Sequence, residues 1–243
     1  MRADELIHSV RDSVPDALER GAGISNQLRA ELYVSGVLTA PDSGTATVFQ
    51  PDGQQVATGA VTVTDSVATF SVSISDTALL GDQYRVEWAL TVGAETYRHR
   101  TRAEVVRKRL VCPISVVDLF RLAPQLDADA TDSVSRFSVS DYADFIAEAW
   151  IWTQVQVRSA GRRPDLISSA DALRECTLMK AMAMVYGALM LAGADRFSEL
   201  HTLHDQKAAR AFRNARLEYA PDDALNERAQ RPGRASSLWL MGI

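Results

Sequence analysis

The sequence predicts an α+β chain: an N-terminal β-sandwich, then an α-helical bundle, then an extended C-terminal tail. Three observations predict it. Between Gln27 and Arg109 apolar and polar residues alternate with period two. Beyond Pro113 the apolar spacing becomes helical. After Arg228 an arginine-rich stretch leads into a terminal apolar run. These changes divide the chain into an arm or short helix at 1–24, a sandwich at 25–110, a helical domain at 111–225 and a tail at 226–243.

In the first segment Leu6, Ile7, Val10, Val14 and Leu18 recur near helical spacing, Pro15 interrupts them, and Gly21-Ala-Gly23 ends the run. It reads as a docking arm or a loosely held terminus.

In the sandwich, Leu28, Ala30, Leu32 and Val34 alternate with Arg29, Glu31 and Tyr33. Ala68, Phe70, Val72 and Ile74 alternate with Thr69, Ser71, Ser73 and Ser75. Tyr84, Val86, Trp88, Leu90 and Val92 alternate with Arg85, Glu87, Ala89 and Thr91. Alternation of this kind marks strands with one buried face. Turn residues separate them at Pro41-Asp-Ser-Gly44, Pro51-Asp-Gly53, Gly81-Asp82 and Gly93-Ala94. About six or seven short strands fit this length. A two-residue turn with Gly93 first pairs Val92 with Glu95, and therefore Leu90 with Tyr97, Glu87 with Arg100 and Val86 with Thr101. The same register puts Arg98, Arg100 and Arg102 on the polar face beside Arg85 and Glu87. The row reads either as a solvated face partly paired with Glu87 and Glu104, or as a contact for an acidic neighbour or phosphate.

Arg107-Lys-Arg109 and Cys112-Pro113 form the boundary. A short helical opening at Ile114–Phe120 leads to a polar loop, Gln125–Ser133. Its Asp127, Asp129 and Asp132 lack the central Gly and closing Glu of a calcium loop, so no metal site is expected. A helix at Ser140–Val157 carries Tyr142, Phe145, Ile146, Ala149, Trp152, Thr153 and Gln156 on one face, which Trp150 and Ile151 widen. Ser169 caps the next helix. Its run from Ala181 to Ala194 is apolar on every side and shorter than a membrane span, so it is expected buried all round at the centre of the bundle. Asp195 can cap a last helix reaching Ala220, where Pro221 blocks extension. Its inner stripe is Phe197, Leu200, Leu203 or His204, Ala208, Ala211, Phe212, Ala215 and Tyr219.

The tail places Arg228, Arg231 and Arg234 around Pro232-Gly233 and ends in Ser236-Ser-Leu-Trp-Leu-Met-Gly-Ile243. Leu238, Trp239, Leu240, Met241 and Ile243 read as an anchor for a partner's groove or sheet edge; the alternative is packing on the chain's own bundle.

Composition narrows the function. With 47% hydrophobic and 23% charged residues the chain has the make-up of a folded protein. A net charge of −5 argues against general nucleic-acid binding, while leaving room for a local basic patch. Cys112 and Cys176 lack metal-ligand spacing and read as reduced thiols of a chain made in a reducing compartment. No signal core or membrane-length run is apparent. His201 and His204 lie at i and i+3 with Asp205 next, but no third ligand has a fixed place in the sequence and the helix face is mixed, so they read as surface or half-buried polar histidines. No nucleophile triad, phosphate loop or carboxylate pair stands in a recognisable context, so no enzyme, metal or cofactor is expected.

The strands with Ser43-Gly-Thr45, Pro51-Asp-Gly53 and Gly81-Asp-Gln-Tyr-Arg-Val-Glu-Trp88 resemble the immunoglobulin-like domains common in phage and bacterial surface proteins. The later region resembles the head-to-tail connector, or adaptor, family of tailed phages. The residues that carry this likeness are the opening Ile-Ser-x-x-Asp-Leu (Ile114 to Leu119), an acidic loop, an aromatic-faced helix (Tyr142 to Trp152), a basic linker (Arg158 to Arg163), a long Ala/Met/Leu helix (Leu173 to Ala194), and a final helix with an extended tail. The resemblance covers Ile114 to Tyr219, and the sandwich before it is an addition to the family pattern.

The resemblance implies a homo-oligomeric ring, typically of twelve copies, beneath the portal protein. Such a ring extends the DNA channel and is the platform for a stopper or tail-completion protein. Leu238 to Ile243 would then dock on the portal, and Trp150, Trp152 and Arg158 would lie at the contact between subunits. Genomic DNA would pass through the lumen without sequence-specific binding, which suits the net negative charge. The expected location is the virion neck, after assembly in the host cytoplasm, with no membrane involved. A different reading is a tail-associated or surface carbohydrate-binding module that uses the sandwich.

Overall fold

The computed structural model describes residues 14–21, 23–75, 78–130, 133–134, 137–191 and 197–219, and the backbone alone of 5–9. The chain is α+β: strands come first and helices after. Among the described residues there are ten strands, β1 (Glu5–Ser9), β2 (Asp16–Glu19), β3 (Ser25–Val34), β4 (Val37–Leu38), β5 (Ser43–Phe49), β6 (Gln55–Ala60), β7 (Thr62–Thr64), β8 (Val67–Ser73), β9 (Gly81–Val92) and β10 (Glu95–Val106). They form two five-stranded sheets. One has the order β1-β3-β8-β7, with β4 also on β3; the other has the order β2-β10-β9-β5-β6.

The period-two pattern explains how the sheets meet. Leu28, Ala30 and Leu32 on β3 and Ala68, Phe70 and Val72 on β8 point inward from the first sheet. Tyr84, Val86, Trp88 and Leu90 on β9, with Ala46, Val48, Ala103 and Val105, point inward from the second. All belong to one core. The indole N–H of buried Trp88 donates to Thr101 Oγ1 at 3.1 Å, which satisfies the one polar atom of the ring. The β9–β10 hairpin has the expected register, with Val92 opposite Glu95, Leu90 opposite Tyr97, Glu87 opposite Arg100 and Val86 opposite Thr101. Gly93 has φ 58°, the left-handed geometry that a turn with glycine first requires.

The arm or short helix expected at 1–24 is instead two strands. β1 pairs antiparallel with β3, and β2 pairs parallel with the last four residues of β10. Val14 and Leu18 are buried four residues apart, which is why the spacing looked helical. Pro15 withholds an N–H, and a helix this short is weak alone, whereas the sheets offer backbone partners at once.

Four helices follow, α1 (Val116–Leu122), α2 (Val139–Ser159), α3 (Arg174–Leu191) and α4 (Ser198–Asn214). α2 starts at a capping box: Ser138 N–H donates to Asp141 Oδ2 at 2.7 Å, and Asp141 N–H donates to Ser138 Oγ at 3.3 Å. The cap position of the 3-10 turn that leads into α3 is Ala170, one residue after the expected Ser169, whose Oγ accepts from Asp171 N–H at 3.1 Å. α3 packs on α1, α2 and α4 and is the central helix. One core joins Leu119, Leu126, Tyr142, Ile146, Met182, Val185, Tyr186 and Leu189; a second joins Trp150, Val157, Ile167, Leu173 and Cys176. At the α2–α3 crossing the buried hydroxyls of Thr153 and Thr177 lie 3.1 Å apart, each within hydrogen-bond reach of the carbonyl four residues back, Ala149 at 2.9 Å and Leu173 at 2.8 Å.

Two helical expectations need correction. α3 is buried all round only in its middle: Met184, Gly187, Ala188 and Met190 are half-buried and Leu191 is exposed, because three neighbours leave one side uncovered. α4 stops at Asn214 rather than near Ala220. Ala215 turns extended, and Tyr219 bridges Ile167 while Ser168 N–H donates to the Glu218 carbonyl at 2.9 Å. The proposed cap at Asp195 lies outside the described residues, as do Ala192 to Ala194.

Candidate functional site

Two surfaces stand out, an arginine row on the second sheet and the seam between the sheets and the helices. The row follows from the hairpin register. Arg98, Arg100 and Arg102 occupy alternate positions of β10, and all three are exposed. On the paired strand, Arg102 faces Arg85 and Arg100 faces Glu87. Glu87 forms an ion pair on both sides, with Arg100 Nε at 2.9 Å and Arg85 Nε at 3.2 Å, and the Arg85 guanidinium also lies 4.8 Å from the centre of the Phe49 ring. One carboxylate therefore serves two arginines, and Arg98 and Arg102 have no ion pair among the described residues. A depression of about 540 Å³ lies over Thr47, Glu87, Arg98 and Arg100.

Glu104, the second expected partner of this row, is not available to it. It sits at the next position of the same parity, but the helical unit covers that end of the strand and leaves it 3% exposed. Arg158 reaches it from α2, Nη2 to Oε1 at 2.5 Å. Burial pushes the Glu104 carboxyl above its ordinary range, and the Arg158 charge pulls it back only in part. Among the described residues Glu104 Oε2 and Arg158 Nε are buried without a hydrogen-bond partner, so the pair is incompletely satisfied there.

The seam has further ties. Arg163 pairs with Asp165, which is 2% exposed, and Arg163 also donates to the Leu80 carbonyl ahead of β9 at 3.4 Å. Burial raises the Asp165 carboxyl as well, against the lowering effect of Arg163. Arg109 donates to the Ala17 carbonyl and to Asn26 Oδ1, both at 3.0 Å. Asn26 is buried and exchanges hydrogen bonds with Glu19 at 2.7 and 2.9 Å, clipping β2 to β3 across the two sheets. Between them lies a cavity of about 190 Å³ lined by Asp16, Gln27, Arg109, Trp150 and Gln154.

These positions alter the expected subunit contacts. Trp150 is 5% exposed and belongs to the core beside Ile167 and Leu173, because the segment 164–173 folds back over that face of α2. Arg158 is committed to Glu104 inside its own chain. Trp152 is half-buried, with Lys180 Nζ 5.1 Å from its ring centre and 2.6 Å from Asp205. Leu238, Trp239, Leu240, Met241 and Ile243 lie outside the described residues.

His201 and His204 do not converge on a common point. His201 Nδ1–H donates to the Ala183 carbonyl of α3 at 2.8 Å. His204 is buried and stacks on Tyr186 at 5.4 Å, and burial, with Lys207 nearby, pulls its pKa below the usual 6.5. No group of three or more His, Cys, Asp or Glu among the described residues is placed to hold a metal. Among the same residues no helix is long and apolar enough to cross a membrane.

Sequence reasoning missed the seam pairs, although the basic linker that supplies Arg158 and Arg163 was visible. It also missed a second charged row. On α2, Asp141, Asp144 and Glu148 are exposed at i, i+3 and i+7, and the helix has no cation before Arg158. The signal was present as acidic residues beside the aromatic stripe, at i, i+3 and i+7.

No family model matches the chain, and no curated protein matches it. Among solved structures it is similar to an engineered protein over 43% of its length, at 19% identity and TM-score 0.31, covering 20% of that chain. It is similar to Salmonella alpha-2-macroglobulin reacted with methylamine over 44% of its length, at 16% identity and TM-score 0.31. Trypsin-activated alpha-2-macroglobulin from Escherichia coli is similar over 41%, at 14% identity and TM-score 0.28. The chain spans 6% of each of those two proteins, and likenesses this low bear on neither fold nor activity.

Proposed function

We propose that the chain is a tailed-phage head-to-tail adaptor, a ring subunit beneath the portal that extends the DNA channel and receives a stopper or tail-completion protein. In this reading the two-sheet unit is an immunoglobulin-like β-sandwich added to the adaptor, and the ring sits at the virion neck. The observation that carries it is the order of parts after Cys112. A capped short helix is followed by an acidic loop, the aromatic-faced α2, a basic linker, the central α3 and α4, all before an apolar C-terminal run. The opening Ile-Ser-x-x-Asp-Leu supports it locally. Asp118 accepts from Ser115 N–H at 2.8 Å to start α1, and Leu119 is fully buried against the bundle.

The portal contact is assigned to Leu238, Trp239, Leu240, Met241 and Ile243, an apolar group with the aromatic and aliphatic side chains that anchor in a partner's groove. The test is co-sedimentation of the full chain with the portal protein encoded beside it, followed by electron microscopy. A ring stacked on the portal is expected. Deletion of residues 238–243 is expected to abolish attachment while leaving the melting temperature unchanged. Attachment at wild-type strength after the deletion would remove the hook from the proposal. A full-length chain that ignores the portal would remove the adaptor reading.

A further inference from the structure

We propose that the outer face of β9 and β10 is a docking surface for a second copy of this chain, which lays the acidic side of its α2 helix along the arginine row. The proposal rests on the ring reading and names the contact that closes it. Arg98, Arg100 and Arg102 recur every second residue, so the row is about 13 Å long. Asp141, Asp144 and Glu148 lie on one side of α2 over seven residues, about 10 Å. The two rows match in number and nearly in length, and they are opposite in charge.

Among the described residues neither row is fully compensated: Arg100 has Glu87 and Asp141 accepts from Ser138, and the rest are left over. Glu87 holds Arg100 and Arg85 and leaves Arg98 and Arg102 without an ion pair among the described residues. Asp144 and Glu148 are in no ion pair among the described residues either, and like charges three and four apart on a helix repel. The cations nearest in kind are already engaged, Arg158 by Glu104 and Lys180 by Asp205. Half-buried Trp152, on the neighbouring edge of the aromatic stripe, supplies apolar area beside the acidic row. The two rows are different patches, so the contact is head-to-tail, and repetition of it closes a ring or runs on as a filament. Exposed pairs are individually weak and screened by salt, so the contact forms readily at low ionic strength and loosens as salt rises.

The test is sedimentation velocity of the full chain at about 20 mM and about 500 mM sodium chloride, where the screening length falls severalfold. Two charge reversals are used, Arg98→Glu with Arg102→Glu, and Asp144→Lys with Glu148→Lys. Among the described residues none of these four is in an ion pair. Wild type is expected to self-associate at low salt and dissociate at high salt. Each reversal alone is expected to sediment as a monomer, and an equimolar mixture of the two to associate again, since each then offers the other an opposite row. Should a reversal fail to fold, Arg98→Gln with Arg102→Gln removes the charge alone and is expected to weaken association. Wild-type association in either reversal, or a mixture that stays monomeric, overturns the interface. If those reversals still ring on the portal, the adaptor reading stands and only this contact falls. A monomeric wild type whose Arg98 and Arg102 retain a single-stranded oligonucleotide would give the row to a polyanion and overturn the proposal.

Discussion

Replacing Gly187 with leucine should break the packing of α3 on α4. A Cβ built on Gly187 would lie 3.1 Å from His201 Nδ1 and 3.4 Å from His201 Cε1. That imidazole cannot retreat freely, because its Nδ1–H donates to the Ala183 carbonyl at 2.8 Å. For Gly187→Ala two effects compete. Alanine is better than glycine inside a helix by about 0.5–1 kcal/mol. Displacing the ring costs the net worth of a hydrogen bond, about 0.5–1.5 kcal/mol. The sum is near zero. Leucine adds three more heavy atoms to the same crossing, at about 1–3 kcal/mol for overpacking. Together with the lost hydrogen bond, Gly187→Leu is expected to destabilise by about 2–4 kcal/mol. At about 2–4 °C per kcal/mol for a chain of this size, the helical circular-dichroism transition should fall by roughly 5–15 °C, with Gly187→Ala close to wild type. His201→Ala should recover part of the loss in the Gly187→Leu background, since it removes the group that leucine strikes. A Gly187→Leu transition at the wild-type temperature would refute the close approach of the two helices at this point.

Two further outcomes can be measured on the same material. Arg158→Ala leaves a buried carboxylate at Glu104 without its counter-charge and should lower stability by about 3 kcal/mol in urea unfolding. Glu104→Leu combined with Arg158→Met should restore most of it, and an unchanged midpoint in the single variant would mean that water reaches Glu104. His204 has its pKa depressed by burial and by Lys207, so the folded state resists a proton that the unfolded chain accepts. Its contribution is full above about 6.5 and is lost as pH falls from there towards the folded value; His204→Phe, which keeps the stack on Tyr186, should flatten that decline, and an equal slope in the variant would place the effect elsewhere.

The strands with one wet face were legible in the sequence, because period two and a glycine-first turn fix which side chains go inward and which residues pair. The Val92–Glu95 register and the outward row from Arg98 to Arg102 follow from that local information. What was not legible depends on distant partners. β2 is only four residues long and takes its pairing from β10, more than eighty residues away. Glu104 has the parity of an exposed residue and is buried only because α2 and the segment after it cover that end of β10. Trp150 looks like an anchor until the turn at 164–166 and Leu173 close over it. α4 ends early because Tyr219 finds a strand partner in Ile167, a choice that helix propensity alone cannot reveal. Of the arginines with an expected role, the three on β10 stayed outside and Arg158 did not, since only it lies where the two units meet.

The parallel pairing of β2 with the end of β10 sets an order in time. During synthesis Asp16 to Glu19 emerge long before their partner. They have no β10 to lie against until Ala103 to Val106 have left the ribosome, and by then the chain is already turning towards α1. The second sheet therefore gains its outer strand by closing a loop of more than eighty residues, the slow kind of contact in folding. Arg109, just past β10, then grips the Ala17 carbonyl and Asn26, so the step that seats the N-terminal strand also sets the start of the helical unit against the sheets. A nascent chain stalled before residue 103 would carry a sheet with one side open, and release past that point would latch both units together.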